Sequence, residues 1–213
     1  MDQKAFNELT RDYEHIIFDF GGIFVNIRYE EMLKNLSLIC DREIDQDLFN
    51  QSKQNPIFSD YEMGKLSDID FTKALASILN IKHDHAQLVE AWNSILFGIP
   101  IQRIEFLKNL KEVQNKKIYL LSNINQIHED FMISYFKDLK IDFYQYFNKV
   151  YFSHHIHMRK PNQDIFQYVL GDIGIQPEEA FFIDDSIQHI ETAKKIGIQA
   201  FHLDKQNSLI VSF

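Results

Sequence analysis

Short apolar runs and helix-period segments take turns through the second half of the chain, and this alternation restricts the fold more than any other feature. After Pro100 a helical pattern over 101–113 leads to the run 118–121, then a helix from about 126 to 136 and the run 149–152. A helix over 161–173, the run 181–183, a helix over 187–196 and the run 199–203 follow. Each run is too short for a helix and rich in β-branched and aromatic residues. Strands separated by single helices predict βαβ units and a parallel sheet. Near the N-terminus, the apolar run 16–25 reads as a further buried strand that delivers Asp19 to its C-terminal end, followed by Gly21 and Gly22.

Between residues 27 and 97 the strand signal disappears. Apolar residues fall at three-and-four spacing over 29–39, 44–51, 61–63, 69–79 and 86–97, which predicts several short helices. Ser67, with Asp70 three residues on, approximates a capping box, and Asp84 stands before the Leu88/Trp92/Ile95 face. The expected fold class is therefore α/β: a mostly parallel, Rossmann-like core formed by 1–26 and 98–213, interrupted by an all-helical domain over 27–97. At 213 residues the chain is long enough for that core and insert. The C-terminal stretch 207–213 is apolar enough to dock.

Charge and cysteine content narrow the partners. Twenty-two basic residues face 31 acidic ones, and the net charge of −9 opposes binding to phosphate backbones or anionic membrane surfaces. Cys40 is the only cysteine, so no internal disulfide forms and no thiolate metal cluster is available. No signal-peptide core or membrane-length apolar run is present in the sequence. A cytoplasmic monomer or homodimer is expected, with no nucleic acid and no membrane as partner.

In open α/β sheets, ligands bind beyond the C-terminal ends of the strands. Asp19, Ser122-Asn123 and Asp184-Asp185-Ser186 all follow strand-like runs, and Lys160-Pro161 stands before a helix. Each of these is an ordinary turn or cap when taken alone. Together they supply what a phosphate ester requires: a carboxylate nucleophile, cations for the oxygens, and donors for developing charge. Asp19 is the candidate nucleophile. Clustered carboxylates call for a cation between them, and Mg²⁺ suits an all-oxygen site that also binds phosphate. Ser122 and Asn123 offer a hydroxyl and backbone N–H groups, and the Lys160 ammonium can balance the carboxylates and clamp the phosphate.

Other features carry less weight. His155 and His157 alternate in a way that invites zinc, but no carboxylate or thiol lies at a familiar zinc spacing, and His83 and His85 read as solvated loop ends. The aromatic residues between Phe131 and Phe152 read as core and domain packing, with a dimer face as the alternative. Trp92 reads as an anchor of the helical insert, with a substrate-facing role as the minority reading. Asn26, Arg28 and Tyr29 stand at the junction between strand and insert.

This set resembles the haloacid dehalogenase superfamily over nearly the whole chain, through Asp19-Phe20-Gly21-Gly22-Ile23, Leu121-Ser122-Asn123, Arg159-Lys160-Pro161 and Phe182-Ile183-Asp184-Asp185-Ser186. The resemblance implies that the insert is a small cap domain. It implies that Asp19 is the nucleophile and that Asp19, Asp185 and the Gly21 carbonyl ligate Mg²⁺, supported by Asp184. Ser122, Asn123 and Lys160 would hold the phosphate. The wording Phe-Asp-Phe-Gly-Gly with Met158-Arg159-Lys160-Pro161 is similar to cytoplasmic sugar-phosphate phosphatases of the glucose-1-phosphate type. The expected substrate is accordingly a small phosphorylated metabolite.

One departure concerns residue 21. Most phosphatases of the superfamily carry a general acid two residues after the nucleophile, and here that residue is Gly21. Such a group is worth ~10²–10⁴ in rate. A cap residue would have to substitute, or turnover would be slow. Two alternatives stand beside the phosphatase: a metal-independent 2-haloacid dehalogenase, against which the Asp184-Asp185 pair argues, and a phospho-ligand binding protein without turnover.

Overall fold

The computed structural model describes residues 3–49, 55–82 and 84–203. Helix α1 (Gln3–Leu9) precedes β1 (His15–Phe18). Four helices follow: α2 (Tyr29–Cys40), α3 (Pro56–Glu62), α4 (Asp68–Leu79) and α5 (His85–Asn93), with a 3-10 turn at Gln46–Phe49. Alternation then begins with α6 (Ile101–Glu112), β2 (Lys117–Ser122), α7 (Gln126–Asp138), β3 (Lys149–Phe152) and the short α8 (Ser153–Ile156). It ends with α9 (Gln163–Ile173), β4 (Ala180–Asp184), α10 (Ile187–Lys195) and β5 (Gln199–His202).

The five strands form one parallel sheet in the order β3-β2-β1-β4-β5. The chain steps outward from β1 to β3, then returns to the other side of β1 with β4. The reversal lies between β1 and β4, where the strand ends open a crevice for ligands. Ile16 and Phe18 pack on one face with Leu120 and Ile183, under Phe6 of α1, Phe106 of α6 and Phe136 of α7. Ile17, Leu121 and Phe182 pack on the other face, under Phe166 of α9 and Ile190 of α10. Covering both faces explains why these strands read as unbroken apolar runs instead of alternating ones. Each such side chain contributes about 1.5–3 kcal/mol on full burial.

The run 16–25 is not one strand. β1 ends at Phe18, and Gly22, at φ 73°, bends the chain so that its N–H reaches the Val25 carbonyl at 2.8 Å. The N–H groups of Phe24 and Val25 both return to the Phe20 carbonyl. Phe20, Ile23, Phe24 and Val25 are nevertheless buried, so the loop carries the apolar signature of a strand.

Helices α2 to α5 build a separate core around Leu36, Phe58, Phe71, Leu75, Leu88 and Trp92. The expected helix starts are present: Ser67 Oγ accepts the Asp70 N–H, and Asp84 Oδ1 accepts the Gln87 N–H. The helix expected over 61–63 is longer, starting at Pro56 behind an Asn55 cap, and the one expected over 86–97 stops at Asn93. Within 44–51 the described part is the 3-10 turn. The insert leaves and rejoins the sheet at one place: Asn26 N–H donates to Gly98 O at 3.0 Å, Phe97 N–H to Asn26 O and Arg28 N–H to Ile95 O, both at 2.8 Å.

Two helices, α1 and α8, have no counterpart in the sequence pattern. Helix α9 begins at Gln163, not Pro161: the Lys160–Pro161 peptide bond is cis, and Pro161 belongs to the turn before the helix. His83 and the stretch 207–213 lie outside the described residues. Among those described, no helix is long and apolar enough to cross a membrane.

Candidate active site

Asp19 follows β1 directly, and its N–H donates to Ile183 O at 2.9 Å, which continues the ladder between β1 and β4. Its carboxylate opens into a cleft of about 580 Å³ between the sheet edge and the helical insert. Ser122, buried at the end of β2, lines the same cleft with Asn123 and Asp185. Asp19, Asp184 and Asp185 each offer an oxygen within 4.8 Å of the others.

Lys160 is the counter-ion of this cluster. It is fully buried, and its Nζ donates to Asp19 Oδ1 at 2.7 Å, Leu121 O at 2.8 Å and Asp184 Oδ2 at 2.6 Å. Burial alone would depress the ammonium, but Asp184 and Asp19 more than offset it and hold Lys160 above its ordinary range. All three donors of the ammonium are thereby spent on the protein. Asn123, expected to hold phosphate, turns its side chain toward the same lysine. Its Nδ2 donates to Lys160 O at 2.8 Å and its Oδ1 accepts the Lys160 N–H at 2.9 Å. The Asn123 side chain is thus bonded to the Lys160 backbone, and the Lys160 ammonium to Asp19.

The adjacent carboxylates have separate tasks. Asp184 Oδ1 accepts the Ser186 N–H at 2.7 Å, and His189 Nδ1 lies 2.9 Å from both Asp184 oxygens. Burial works against ionisation, yet Lys160 and His189 overcome it and hold Asp184 down at about 2. Asp185 reaches solvent at the mouth of the cleft. The protein packed on its other sides, and then the charges of Asp19 and Asp184, push its carboxyl up to about 7. Burial likewise raises Asp19 against the pull of Lys160.

Three carboxylates against one ammonium leave two formal negative charges in a confined all-oxygen site. That balance suits a hard divalent cation. Asp184 is already saturated by its neighbours, so Asp19 and Asp185 have the open oxygens. The Gly21 carbonyl, which accepts no backbone hydrogen bond among the described residues, lines the same cleft. A Cβ on Gly22 would lie 2.1 Å from Asp185 Oδ2, whereas one on Gly21 meets only Ile27 at 3.4 Å. The second glycine, not the first, makes room for the acidic cluster.

The helical insert forms the opposite wall. Phe49, Phe58 and Trp92 line it, and the Trp92 indole Nε1 is buried without a hydrogen-bond partner among the described residues. Trp92 is thus both a core anchor of the insert and a wall of the cleft. It stacks on His128 of α7 at 5.3 Å between ring centroids, and His128 Nε2 donates to Trp92 O at 3.2 Å. Arg28 stacks on Phe97, and Arg159 pairs with Glu62 across the cleft at 2.8 Å. Asn26 and Tyr29 also line the cleft.

Sequence reasoning missed His189. Its signal was available: a residue five positions after Asp184 lies in the first turn of α10, within reach of the strand end. The histidines were paired wrongly. His157 Nδ1 donates to Met63 O at 2.8 Å in the insert, while His155 joins His154 beside Glu129. Nor is His85 a solvated loop end: it opens α5 and bonds Thr72 Oγ1 at 2.9 Å.

A strand-end Asp anchored by a buried lysine and an acidic pair defines a hydrolase class. Residues 16–203 match the family described as haloacid dehalogenase-like hydrolase, and the chain belongs to that family. It is 26% identical over 189 residues to D-ribitol-5-phosphate phosphatase of Bacteroides thetaiotaomicron, an alignment covering 88% of this chain and 90% of that one. It is 22% identical over 197 residues to sesquiterpene phosphatase astK of Aspergillus oryzae, covering 90% of each. Among solved structures, a haloacid dehalogenase family enzyme of Bacteroides thetaiotaomicron in complex with magnesium and inorganic phosphate superposes with a TM-score of 0.78. That pair is 30% identical, with 89% of this chain and 93% of that chain covered.

Proposed function

We propose that this haloacid dehalogenase-type phosphatase uses Mg²⁺ to hydrolyse a small phosphorylated sugar or polyol through an aspartyl-phosphate on Asp19. The observation that carries the reading is the buried Lys160 bonded to both Asp19 and Asp184, with Asp185 opposite them. A metal-independent dehalogenase has no use for an acidic cluster two charges in excess of its lysine.

Lys160 holds Asp19 Oδ1, which leaves Oδ2 as the attacking oxygen. Asp19 Oδ2 forms the bond to phosphorus as the ester P–O bond breaks, and the departing oxygen takes a proton. Water then cleaves the acyl phosphate and regenerates the carboxylate. Asp19, Asp185 and the Gly21 carbonyl would hold Mg²⁺, which when bound would supply neutralisation of phosphoryl charge. Ser122 donates its hydroxyl to a phosphoryl oxygen. With no side chain at residue 21, proton delivery falls to water or to the wall of the insert. The chemistry is therefore suited to good leaving groups and slower on poor ones.

The cleft supports the substrate class. Aromatic faces of Phe58 and Trp92 stand beside the unspent indole N–H and the Glu62–Arg159 pair. Such a mixture suits a polyhydroxylated chain or ring, with C–H faces for the aromatics and hydroxyls for the polar groups. The test is phosphate release, first from an activated aryl phosphate with Mg²⁺, with EDTA and with Asp19→Asn. A panel of ribitol 5-phosphate, glucose 1-phosphate and a prenyl monophosphate follows. Release that needs both the metal and Asp19, with kcat/KM highest for the polyol or sugar phosphate, supports the reading. Release unaffected by EDTA overturns the metal role, and preference for the prenyl ester overturns the substrate class.

A further inference from the structure

A cluster away from the acidic site brings together three groups that the sequence separates. Glu129 lies in the first turn of α7, and His154 and His155 form α8 directly after β3. His154 Nε2 stands 2.8 Å and His155 Nε2 2.9 Å from one and the same oxygen, Glu129 Oε2. Glu129 and His154 are buried, while His155 opens to solvent.

Two ring nitrogens and one carboxylate oxygen converge here, and either protons or a cation can satisfy them. His154 Nδ1 is 2.9 Å from Ile124 O, and since a carbonyl only accepts, Nδ1 carries the hydrogen. In the neutral ring, Nε2 then presents a lone pair to a carboxylate oxygen that presents lone pairs of its own. A proton on Nε2 satisfies that contact, and the second imidazole converges on the same oxygen, to which a neutral ring can donate its own Nε2–H. The two rings are only 4.2 Å apart between centroids, so charging both sets like charges side by side. One cation between the three groups satisfies all of them at once.

The arrangement is that of a metal-ligating histidine, whose second nitrogen donates to a backbone carbonyl and so fixes the ring. Two imidazoles and one carboxylate are a recognised zinc set with an open fourth position. A tetrahedral ion with bonds of about 2.0–2.1 Å spaces its ligand atoms about 3.3 Å apart, so the two nitrogen-to-oxygen sides need only a small expansion, and all three atoms already lie within 4.8 Å of one another. The Tyr144 hydroxyl is buried without a hydrogen-bond partner among the described residues and lines a cavity of about 570 Å³ shared with Glu129 and His155. A water completing the coordination has room there and a partner.

We propose that Glu129, His154 and His155 form a second metal centre of the zinc class, separate from the acidic site and independent of the substrate assigned to it. Its place in the fold gives it a consequence. His154 and Ser153 both bond Ile124, which follows Ser122 and Asn123, and the same short helix leads through His157 to Lys160. Metal binding therefore joins the loop after β2 to the loop after β3, the two loops that carry Ser122 and Lys160.

The experiment titrates Zn²⁺ against a chromogenic chelator with the Mg²⁺-saturated full chain, comparing wild type, His155→Ala, Glu129→Gln and Asp185→Asn. Cobalt-loaded samples supply a visible-absorption signature of four-coordination that does not depend on activity. Expected is one Zn²⁺ per chain in wild type and in Asp185→Asn. In His155→Ala the affinity falls on the order of 100-fold or more, because losing a ligand exceeds the ~10–100-fold cost of losing its outer partner. The tetrahedral cobalt bands disappear with it. His155 is exposed, so its removal leaves folding intact, and circular dichroism checks this. Equal affinity in wild type and His155→Ala, loss of Zn²⁺ with Asp185→Asn, or no uptake by wild type each overturns the proposal. In the last case the cluster is a carboxylate and two imidazoles sharing protons.

Discussion

At the scale of single residues, the two glycines after Asp19 have opposite freedoms. Gly22 combines a left-handed backbone with a Cβ direction blocked by Asp185, so Gly22→Ala costs about 1–2 kcal/mol in backbone strain and also displaces the carboxylate. Turnover is expected to fall by at least ~10²-fold and Mg²⁺ affinity with it, measured by steady-state kinetics across a metal titration. Gly21→Ala, with no positive φ and with Ile27 at ordinary contact distance from the added Cβ, is expected to keep the fold's stability within about 1 kcal/mol. Lys160 is the reverse case, a residue that nothing replaces. Lys160→Met leaves Asp19 and Asp184 buried without their cation, and breaking such a pair costs about 3–5 kcal/mol. Urea denaturation without metal should show that loss, and added Mg²⁺ should recover part of it.

At the scale of elements, the contact between α7 and α5 runs through His128. Its Nε2 donates to Trp92 O and its Nδ1 accepts from Asn125 Nδ2 at 3.2 Å, so the neutral ring is fully satisfied. Burial pushes its pKa down to about 4, below the ordinary 6.5 of the unfolded chain. Between those values the unfolded state binds the additional proton. Stability therefore falls as pH drops from about 6.5 to 4, by about 3 kcal/mol in all. Denaturation midpoints of wild type should decline over that window, and those of His128→Gln should decline less.

The same elements show what was legible in the sequence. The strands β2 to β5 and the helices α7, α9 and α10 between them were readable because burial on both faces makes strands continuous and covering helices amphipathic. Asp19, Ser122, Asp184 and Asp185 were readable because strand ends have fixed chemistry. The side-chain direction of Asn123, the return of His189 to Asp184 and the meeting of Glu129 with His154 were not. Each depends on a contact across turns whose geometry no local pattern encodes, between residues 37 apart for Asn123 and Lys160, 25 apart for Glu129 and His154, and 5 apart for Asp184 and His189. The tight loop after Asp19 was misread as strand because its side chains are as buried as those of β1.

At the scale of the whole molecule, a cation that binds only the folded chain stabilises it by mass action. At a hundredfold excess over its dissociation constant, Mg²⁺ contributes about 2.7 kcal/mol. The thermal midpoint should rise with Mg²⁺, return on adding EDTA, and respond weakly in Asp185→Asn, as scanning calorimetry would show. The sheet and the helical insert meet through the Arg159–Glu62 pair, the His157–Met63 bond and the stacking of Trp92 on His128. Between them, the chain passes from one to the other only where Asn26 and Gly98 are hydrogen-bonded. Because both passages lie side by side, the sheet closes its own ladder whatever is spliced between them. The machinery that breaks a phosphate ester and the wall that selects which ester arrives can thus be inherited, exchanged or lengthened separately, like a tool and its interchangeable guard.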